Sequence, residues 1–292
     1  MARIRSTRRT GDAQASSTFR DRLAELGVQP SKARGQNFLH DANVVARIAR
    51  AADLGPSDLV VEVGPGLGIL TRELARLAGE VIAIEVDPHL ADYLRRSLDA
   101  DNVRIIEADA LQVDLDALVG DRPYQVVANL PYSIAAAVLE RLLEMDHRPQ
   151  RLVIMVQREV AERIVARPPH MSLLAVAVQF YGEPKILFRV GTGAFVPRPR
   201  VESAVLRIDV KPEPPLTGAD RAAFFTLVRA GFSQRRKRLA NALADGLDLP
   251  KTAVEERLVA AGIDPDRRAE TLAVEEWIDV QRSFGADLGD LA

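Results

Sequence analysis

Asn129-Leu130-Pro131-Tyr132 closes a run of β-forming residues, 124-YQVVANL-130, and leads into a helical pattern at 133-SIAAAVLERLLEM-145. An amide, a proline and a phenol at the mouth of a buried strand bring hydrogen-bonding and stacking chemistry that packing does not require. Other strand ends carry polar groups too. Glu85 lies at the end of 81-VIAIEV-86, Asp109 ends 103-VRIIEAD-109, and 58-DLVVEV-63 runs directly into the glycine-rich turn 62-EVGPGLG-68.

Glycines at Gly64 and Gly66 let the backbone turn sharply and approach a ligand at the carboxyl end of a parallel sheet. The dinucleotide fingerprint needs a third glycine where this chain has Ile69,. Pro65 removes an amide donor from the loop, which suits a ligand without phosphates. An acid 21 positions after Gly64, here Glu85, can accept both hydroxyls of a ribose,. Asp109 can take an adenine amino group. A glycine turn followed by two acids at successive strand ends is the layout of an S-adenosylmethionine site. The plainer alternative is that Glu85 and Asp109 cap the helices that follow them.

The exocyclic amine of adenine is a poor nucleophile because its lone pair is delocalised into the ring. Two acceptors aimed at its N–H bonds would rotate or pyramidalise it toward a sulfonium methyl. The Asn129 side-chain oxygen and the Leu130 carbonyl can supply them, with Pro131 fixing an extended turn at Leu130. Tyr132 can stack on the base, as proteins hold extruded bases. Such catalysis needs positioning and electrostatics more than a strong base. The alternative is a strand-to-helix turn, with Asn as a cap, Pro as a kink and Tyr on the rim.

These residues need a scaffold that aligns strand ends. Strands at 58–63, 81–86, 103–109, 124–130 and 151–157 alternate with helical patterns at 69–78, 88–98 and 133–145,. A further helix at 41–50 has Asp41 as its N-cap,. This alternation predicts an α/β fold with a Rossmann-like parallel sheet. The runs 185-KILFRV-190 and 203-SAVLRIDV-210 read as an antiparallel pair at one edge,. The Pro/Gly-rich 211–218 reads as a linker, and only helical patterns follow, near 219–231, 235–245, 251–261 and 274–284,. The expected organisation is a flexible basic arm at 1–30, a methyltransferase domain at 31–210, the linker, and a small α-helical domain at 219–292.

The 292 residues are 47% hydrophobic and 27% charged, ordinary for a globular protein with a sizeable core,. With no cysteine, disulfides and thiolate metal sites are excluded and a reducing compartment is favoured,. The four histidines have no metal-ligand spacing, and no metal is expected,. No apolar run is long enough to span a membrane. Net charge is −2, yet 229-RAGFSQRRKR-238 holds five cations and no acid, and Arg198, Arg200, Arg207 and Lys211 cluster in 195–211. Such patches bind phosphate backbones or, more plainly, form solvated faces. The basic start lacks the apolar core of a secretory signal; a disordered arm is expected, with an organelle presequence as the alternative.

The motifs 35-GQNFLHD-41, 60-VVEVGPGLGILT-71, 82-IAIEVD-87, 107-EADAL-111, 129-NLPYSI-134, 155-MVQREVAERI-164, 194-AFVPRPRVESAV-205, 229-RAGFSQRRK-237 and 268-RAETL-272 resemble those of the ribosomal RNA small-subunit adenine dimethyltransferases, the KsgA/RsmA family. The resemblance covers roughly residues 30–283. It implies transfer of two methyls from S-adenosylmethionine to N6 of each of two adjacent adenines. These lie in a hairpin near the 3′ end of 16S rRNA, and the work is done in the cytoplasm, by a monomer, on an immature 30S subunit. It further implies that Asn37 and Leu39 contact the cofactor, that Asn129 touches both cofactor and target amine, and that Phe195 packs on the target base opposite Tyr132. The helical domain, with Arg235, Arg236 and Lys237, would lie against rRNA, and Arg198 and Arg200 would add phosphate contacts. Three departures stand out: Lys32-Ala33-Arg34 stands where a basic run often precedes GQ-x-FL, the loop at 167-RPPHMS-172 is short, and Arg198 sits between prolines where a small or apolar residue is common. The alternatives are a 23S rRNA adenine methyltransferase of the resistance type, an assembly factor that chiefly binds, and a nicotinamide oxidoreductase, which the missing third glycine disfavours.

Overall fold

The computed structural model describes residues 21, 23–25, 27, 36–234 and 236–285. The arm expected at 1–30 therefore lies almost wholly outside the described residues, as does Arg235. The chain divides into two compact units, residues 1–161 with 185–210, and residues 162–184 with 211–292.

In the first unit, five apolar runs form parallel strands: β2 (Leu59–Val63), β3 (Glu80–Glu85), β4 (Val103–Glu107), β5 (Tyr124–Asn129) and β6 (Arg151–Gln157), numbered after a two-residue β1 (Phe38–Leu39). Between them run α1 (Ala42–Ala52, ahead of β2), α2 (Ile69–Ala75), α3 (Pro88–Ser97), the short α4 (Leu115–Val119) and α5 (Ala135–Glu144). Strands β2, β3, β5 and β6 are largely apolar and buried on both faces, as doubly covered parallel strands must be, whereas β4, at the sheet edge, is only partly buried, with Arg104 and Glu107 exposed,. Asp41 caps α1 by accepting from the N–H groups of Asn43 at 2.8 Å and Val44 at 3.2 Å,. One face of α1, Val44, Val45, Ile48, Ala49 and Ala52, joins the core cluster of Val60, Leu74, Val81, Val127 and Val153,.

The sheet order is β4-β3-β2-β5-β6-β9-β7, where β7 is Gly182–Val190 and β9 is Ser203–Val210. The parallel order grows outward on both sides of β2, so the crevice at the carboxyl ends of β2 and β5 is a topological switch point,. Strand β9 runs antiparallel to β6, from Arg151↔Asp209 to Gln157↔Ser203. It lies inside β7, so the antiparallel edge exists, with β9 the strand that joins it to the parallel body. A cross-strand cluster pins this register: Arg151 Nε donates to Asp209 at 2.8 Å, Arg207 Nε donates to the same carboxylate at 2.9 Å, and Arg151 also reaches the Ala52 carbonyl ending α1 at 2.9 Å.

The connection from β7 to β9 is not plain loop. Its residues Phe195–Val196 form β8, antiparallel to β1 with Phe38 opposite Val196 and Leu39 opposite Phe195. His40 extends the ribbon, its N–H donating to Ala194 O at 2.9 Å and its Nε2 to Gly193 O at 3.1 Å. Two-residue strands carry no period that sequence reading can detect.

The second unit holds α7 (Leu173–Tyr181), α8 (Gly218–Phe232), α9 (Leu239–Leu247), α10 (Lys251–Ala260) and α11 (Val274–Phe284); the division falls within α6 (Arg158–Ile164) and β7. It thus begins earlier in the chain than a linker at 211–218 implies. The reason is aromatic packing: Phe180 lies 4.6 Å from Phe224 and 5.1 Å from Phe225, ring centre to centre,. Lys211, at the expected linker's start, donates to the carbonyls of Gln179 at 3.1 Å and Phe180 at 3.2 Å. Gly231 lets Trp277 approach; a Cβ there would sit 2.4 Å from the indole. Among the described residues no helix is long and apolar enough to cross a membrane.

Burial alone would raise the Asp209 carboxyl, but the hydrogen bonds from Arg151 and Arg207 outweigh it and hold it below its ordinary value. A depressed carboxylate adds stability above its unfolded range and loses it as pH falls through the folded value. Asp209→Asn should therefore lower unfolding free energy by about 1 kcal/mol at pH 7, the partly exposed pair being discounted for screening. The difference should shrink as pH falls to about 3, near the ordinary range of aspartate, as urea titrations at several pH values would read.

Candidate functional site

A cavity of about 370 Å³ opens where β2, β3 and β5 end. Its walls include Asn37, Leu39, Gly64, Gly66, Glu85, Asp109, Asn129, Leu130, Pro131 and Tyr132, so residues spread over nearly a hundred positions meet in one chamber. Phe38, Leu67, Leu70, Leu90 and Ile134 supply an apolar lining.

The turn after β2 is set by three left-handed glycines, with φ of +69° at Gly64, +59° at Gly66 and +74° at Gly68,. At Gly66 space matters as well, because a Cβ would lie 3.0 Å from the Phe38 ring. The turn is held from both sides. Glu85 Oε2 accepts from Gly66 N–H at 3.1 Å, and its Oε1 accepts from Asp87 N–H at 3.0 Å. Arg72 donates to the carbonyls of Leu67 at 2.9 Å and Gly68 at 3.0 Å, and to Ser97 O at 3.2 Å. Glu85 is only 3% exposed. Its burial raises the carboxyl above the ordinary range, partly offset by the backbone N–H groups of Asp87 and Gly66.

Neither acid serves as the cap of a following helix. Asp87 caps α3 and Asp114 caps α4. Asp109 instead closes a local turn by accepting from Leu111 N–H at 2.9 Å, with Gln112 Nε2 on its other oxygen at 3.3 Å. Asn129 is not a cap either: α5 starts after Ile134 without a side-chain cap. Its Nδ2 donates to the Asn37 carbonyl at 3.3 Å, which leaves Oδ1 as the amide's acceptor,. Leu130 N–H donates to Met155 O at 3.2 Å and Ile134 N–H to Pro131 O at 3.1 Å, so the tetrapeptide is a fixed turn. The Tyr132 hydroxyl lies 2.6 Å from Ser203 Oγ.

Phe195 is placed differently from expectation. It is 1% exposed, sits in the core cluster with Leu39, Val190 and Val205, and is absent from the cavity wall. Pairing of β8 with β1 sets it beside Leu39, with its side chain in the core. The basic residues divide. Arg198, Arg200 and Arg236 are exposed. Lys237 is engaged with Asp245 at 2.6 Å, and the adjoining Arg238 with Asp266 at 2.6 Å. The acid-free run in sequence is thus partly neutralised by acids from elsewhere in the fold.

Glu62 is the site residue that sequence reading left without a role. It is 1% exposed, lines the cavity, and its Oε2 has no hydrogen-bond partner among the described residues. Burial chiefly pushes its carboxyl up to about 8; the Thr71 hydroxyl lowers it and the nearby Glu85 adds to the rise. The available signal was an acid inside the otherwise apolar strand LVVEV. The chamber therefore has an acidic floor, an apolar wall and an amide aimed across it. That suits a ligand with a cationic end, a ribose and an adenine, and the orphaned Glu62 oxygen is where a cation would be met.

Comparison with known proteins agrees with this chemistry. A family model described as ribosomal RNA adenine dimethylase matches residues 29–285. A ribosomal RNA small subunit methyltransferase A from Moorella thermoacetica is 49% identical over 274 residues, covering 90% of this chain and 95% of the relative. Among solved structures, the 23S rRNA methyltransferase ErmE is 31% identical with a TM-score of 0.69, covering 85% of this chain and 99% of that one. A dimethyladenosine transferase from Plasmodium falciparum is 25% identical with a TM-score of 0.73, covering 85% and 97%.

A carboxyl raised in the folded state stabilises fully below its unfolded pKa, and that stability is lost as pH rises through the folded value. For Glu62 the window runs from its ordinary 4.5 up to about 8. Glu62→Gln should therefore flatten the decline of urea midpoint across that window relative to the parent protein. Parallel curves for the two would remove the raised carboxyl from the account.

Proposed function

This chain belongs to the ribosomal RNA adenine dimethylase family, and we propose that it transfers methyls from S-adenosylmethionine to N6 of two adjacent adenines in a hairpin near the 3′ end of 16S rRNA, dimethylating each. It is an rRNA adenine dimethyltransferase. The small-subunit substrate is favoured over 23S rRNA by 49% identity to a small-subunit enzyme against 31% to ErmE. On this reading it acts in the cytoplasm, as a monomer, on immature 30S particles.

The observation that carries the reading is the convergence of Glu85, Asp109 and Asn129-Leu130-Pro131-Tyr132 on one chamber behind a left-handed glycine turn. S-adenosylmethionine, when bound, supplies an electrophilic methyl on a sulfonium. Asn37, Leu39, Gly64 and Gly66 would hold it, with Glu85 on the ribose and Asp109 on the adenine. Two of the four acceptor positions on the Glu85 carboxylate go to backbone N–H groups, so capacity remains for hydroxyls,. Asn129 Oδ1 and the Leu130 carbonyl accept the two N–H bonds of the target amine and turn its lone pair toward the donor. Pro131 holds that carbonyl in place, and Tyr132 lies against the base. The amine proton becomes acidic only as the new C–N bond forms, so it can leave to the same acceptors or to water. The chain's contribution is orientation and a fixed field. Phe195, buried under the β1–β8 ribbon, supports the Phe38–Leu39 segment.

Purified protein and radiolabelled S-adenosylmethionine, offered in parallel 30S particles lacking the modification and protein-free 23S rRNA, provide the test. Label on paired N6 positions near the 3′ end of 16S rRNA supports the reading. Label on 23S rRNA alone would move the protein to the resistance-type branch, and tight particle binding without label would make it an assembly factor.

Asn129→Ala should lower methyl transfer at least about 100-fold with RNA affinity nearly unchanged, because the residue orients the amine beside the cofactor and does not touch the RNA backbone. Replacing Arg198 and Arg200 together by Ala should weaken RNA binding and reduce the slope of log K against log salt by about 1.5. Filter binding at several salt concentrations would read both.

A further inference from the structure

Tyr132 and Ser203 are 71 positions apart in sequence, yet their hydroxyls meet at 2.6 Å. Ser203 has no exposed surface at all. It begins β9 opposite Gln157, the last residue of β6, so its backbone is fixed by sheet pairing. Tyr132 is the partly exposed member, and its ring lines the chamber. The phenol is therefore attached at both ends, through its Cα to the rigid Pro131 turn and through its hydroxyl to the sheet. Two attachments fix the tilt of the ring plane; one would leave it free to swing about its side-chain torsions. Burial raises the phenol above its ordinary value by more than the Ser203 contact lowers it. The hydroxyl thus keeps its proton and can donate it.

We propose that Ser203 is a positioning residue for methyl transfer, holding the Tyr132 ring in the plane against which the target adenine is stacked. This rests on the reading of Tyr132 given above. The Asn129 and Leu130 acceptors reach the amine only if the ring to which it is attached lies at the right height, and that height is set by the tyrosine face. Ser203 also ends the loop that carries Arg198 and Arg200, so the segment proposed to touch the RNA backbone continues directly into the anchor of the base platform.

The test compares Ser203→Ala, Tyr132→Phe, the double variant and Tyr132→Ala in the full chain, with kcat, KM for S-adenosylmethionine and melting temperature for each. Tyr132→Phe removes the same hydrogen bond from the other side without leaving a cavity or a clash, so it stands if Ser203→Ala folds poorly. Ser203→Ala and Tyr132→Phe should each lower kcat roughly 5- to 30-fold, with KM for the cofactor within about twofold, and the double variant should be no slower than either alone. Single variants at full kcat with only a lowered melting temperature would overturn the proposal, as would losses that multiply in the double variant. If Tyr132→Ala is impaired while Tyr132→Phe and Ser203→Ala are not, the anchor alone fails. If Tyr132→Ala transfers methyl at the parent rate, the reading of Tyr132 itself fails.

Discussion

The Glu85 carboxylate accepts from Gly66 N–H at 3.1 Å and from Asp87 N–H at 3.0 Å, and this one buried group ties the ends of two adjacent strands together. Gly66 belongs to the turn that leaves β2, and Asp87 caps the helix that leaves β3. Both chain reversals must occur at the same level of the sheet for one side chain to serve them. The left-handed glycines make the first reversal possible, and Asp87 makes the second,. Arg72 closes the loop from behind by holding its carbonyls. What results is a lip braced by its own hydrogen bonds.

A second constraint works from the opposite wall. Asn129 can aim its oxygen only if its nitrogen is held, and the holder is the carbonyl of Asn37. Asn37 adjoins β1, which is kept in place by β8 and by the His40 contacts to Gly193 and Ala194. The segment that bounds the chamber and the segment that precedes the Arg198–Arg200 loop are therefore two strands of one ribbon. Orientation of the Asn129 amide thus depends on residues beyond its own strand.

The parallel sheet and its longer helices were legible because most strands are near-continuous apolar runs and helices such as α1 and α5 carry a 3.6-residue period; the five-residue α4 is too short to carry one. Asp41 could be read as a cap because capping is chemistry local to a few residues. Ten of the residues proposed for cofactor and base line one chamber, since strand ends in such a sheet necessarily converge,. What sequence could not show was non-local. The two-residue β8 has no period, and it is the pairing with β1 that buries Phe195. The cations after Phe232 look uncompensated in sequence, yet Lys237 finds Asp245 one helix away and Arg238 finds Asp266 across a loop. The polar 167-RPPHMS-172 within residues 162–184 does not by itself say which unit they join; packing of Phe180 and Tyr181 on Phe224 and Phe225, with Met171 N–H on Glu270 O at 2.9 Å, places them with the helical unit. Glu62 was visible as an acid in an apolar strand, but the sequence does not say which way it points.

The glycine turn also explains why this sheet should reject a dinucleotide. A phosphate cradle works through backbone N–H groups left free to point at oxygen anions. Here Gly64 N–H is bonded to Ile84 O at 3.0 Å, Gly66 N–H to Glu85, and Gly68 N–H to Pro65 O at 2.9 Å. Pro65 has no N–H to offer. Behind the loop stand two buried carboxyls, Glu62 and Glu85, each raised by burial. A pyrophosphate would meet satisfied donors and two acids, whereas a ligand with a cationic end would relieve the unfavourable burial of those acids. A glycine turn that invites comparison with nucleotide folds is therefore directed, by Pro65, its bonded glycine N–H groups and the buried Glu62, away from phosphate.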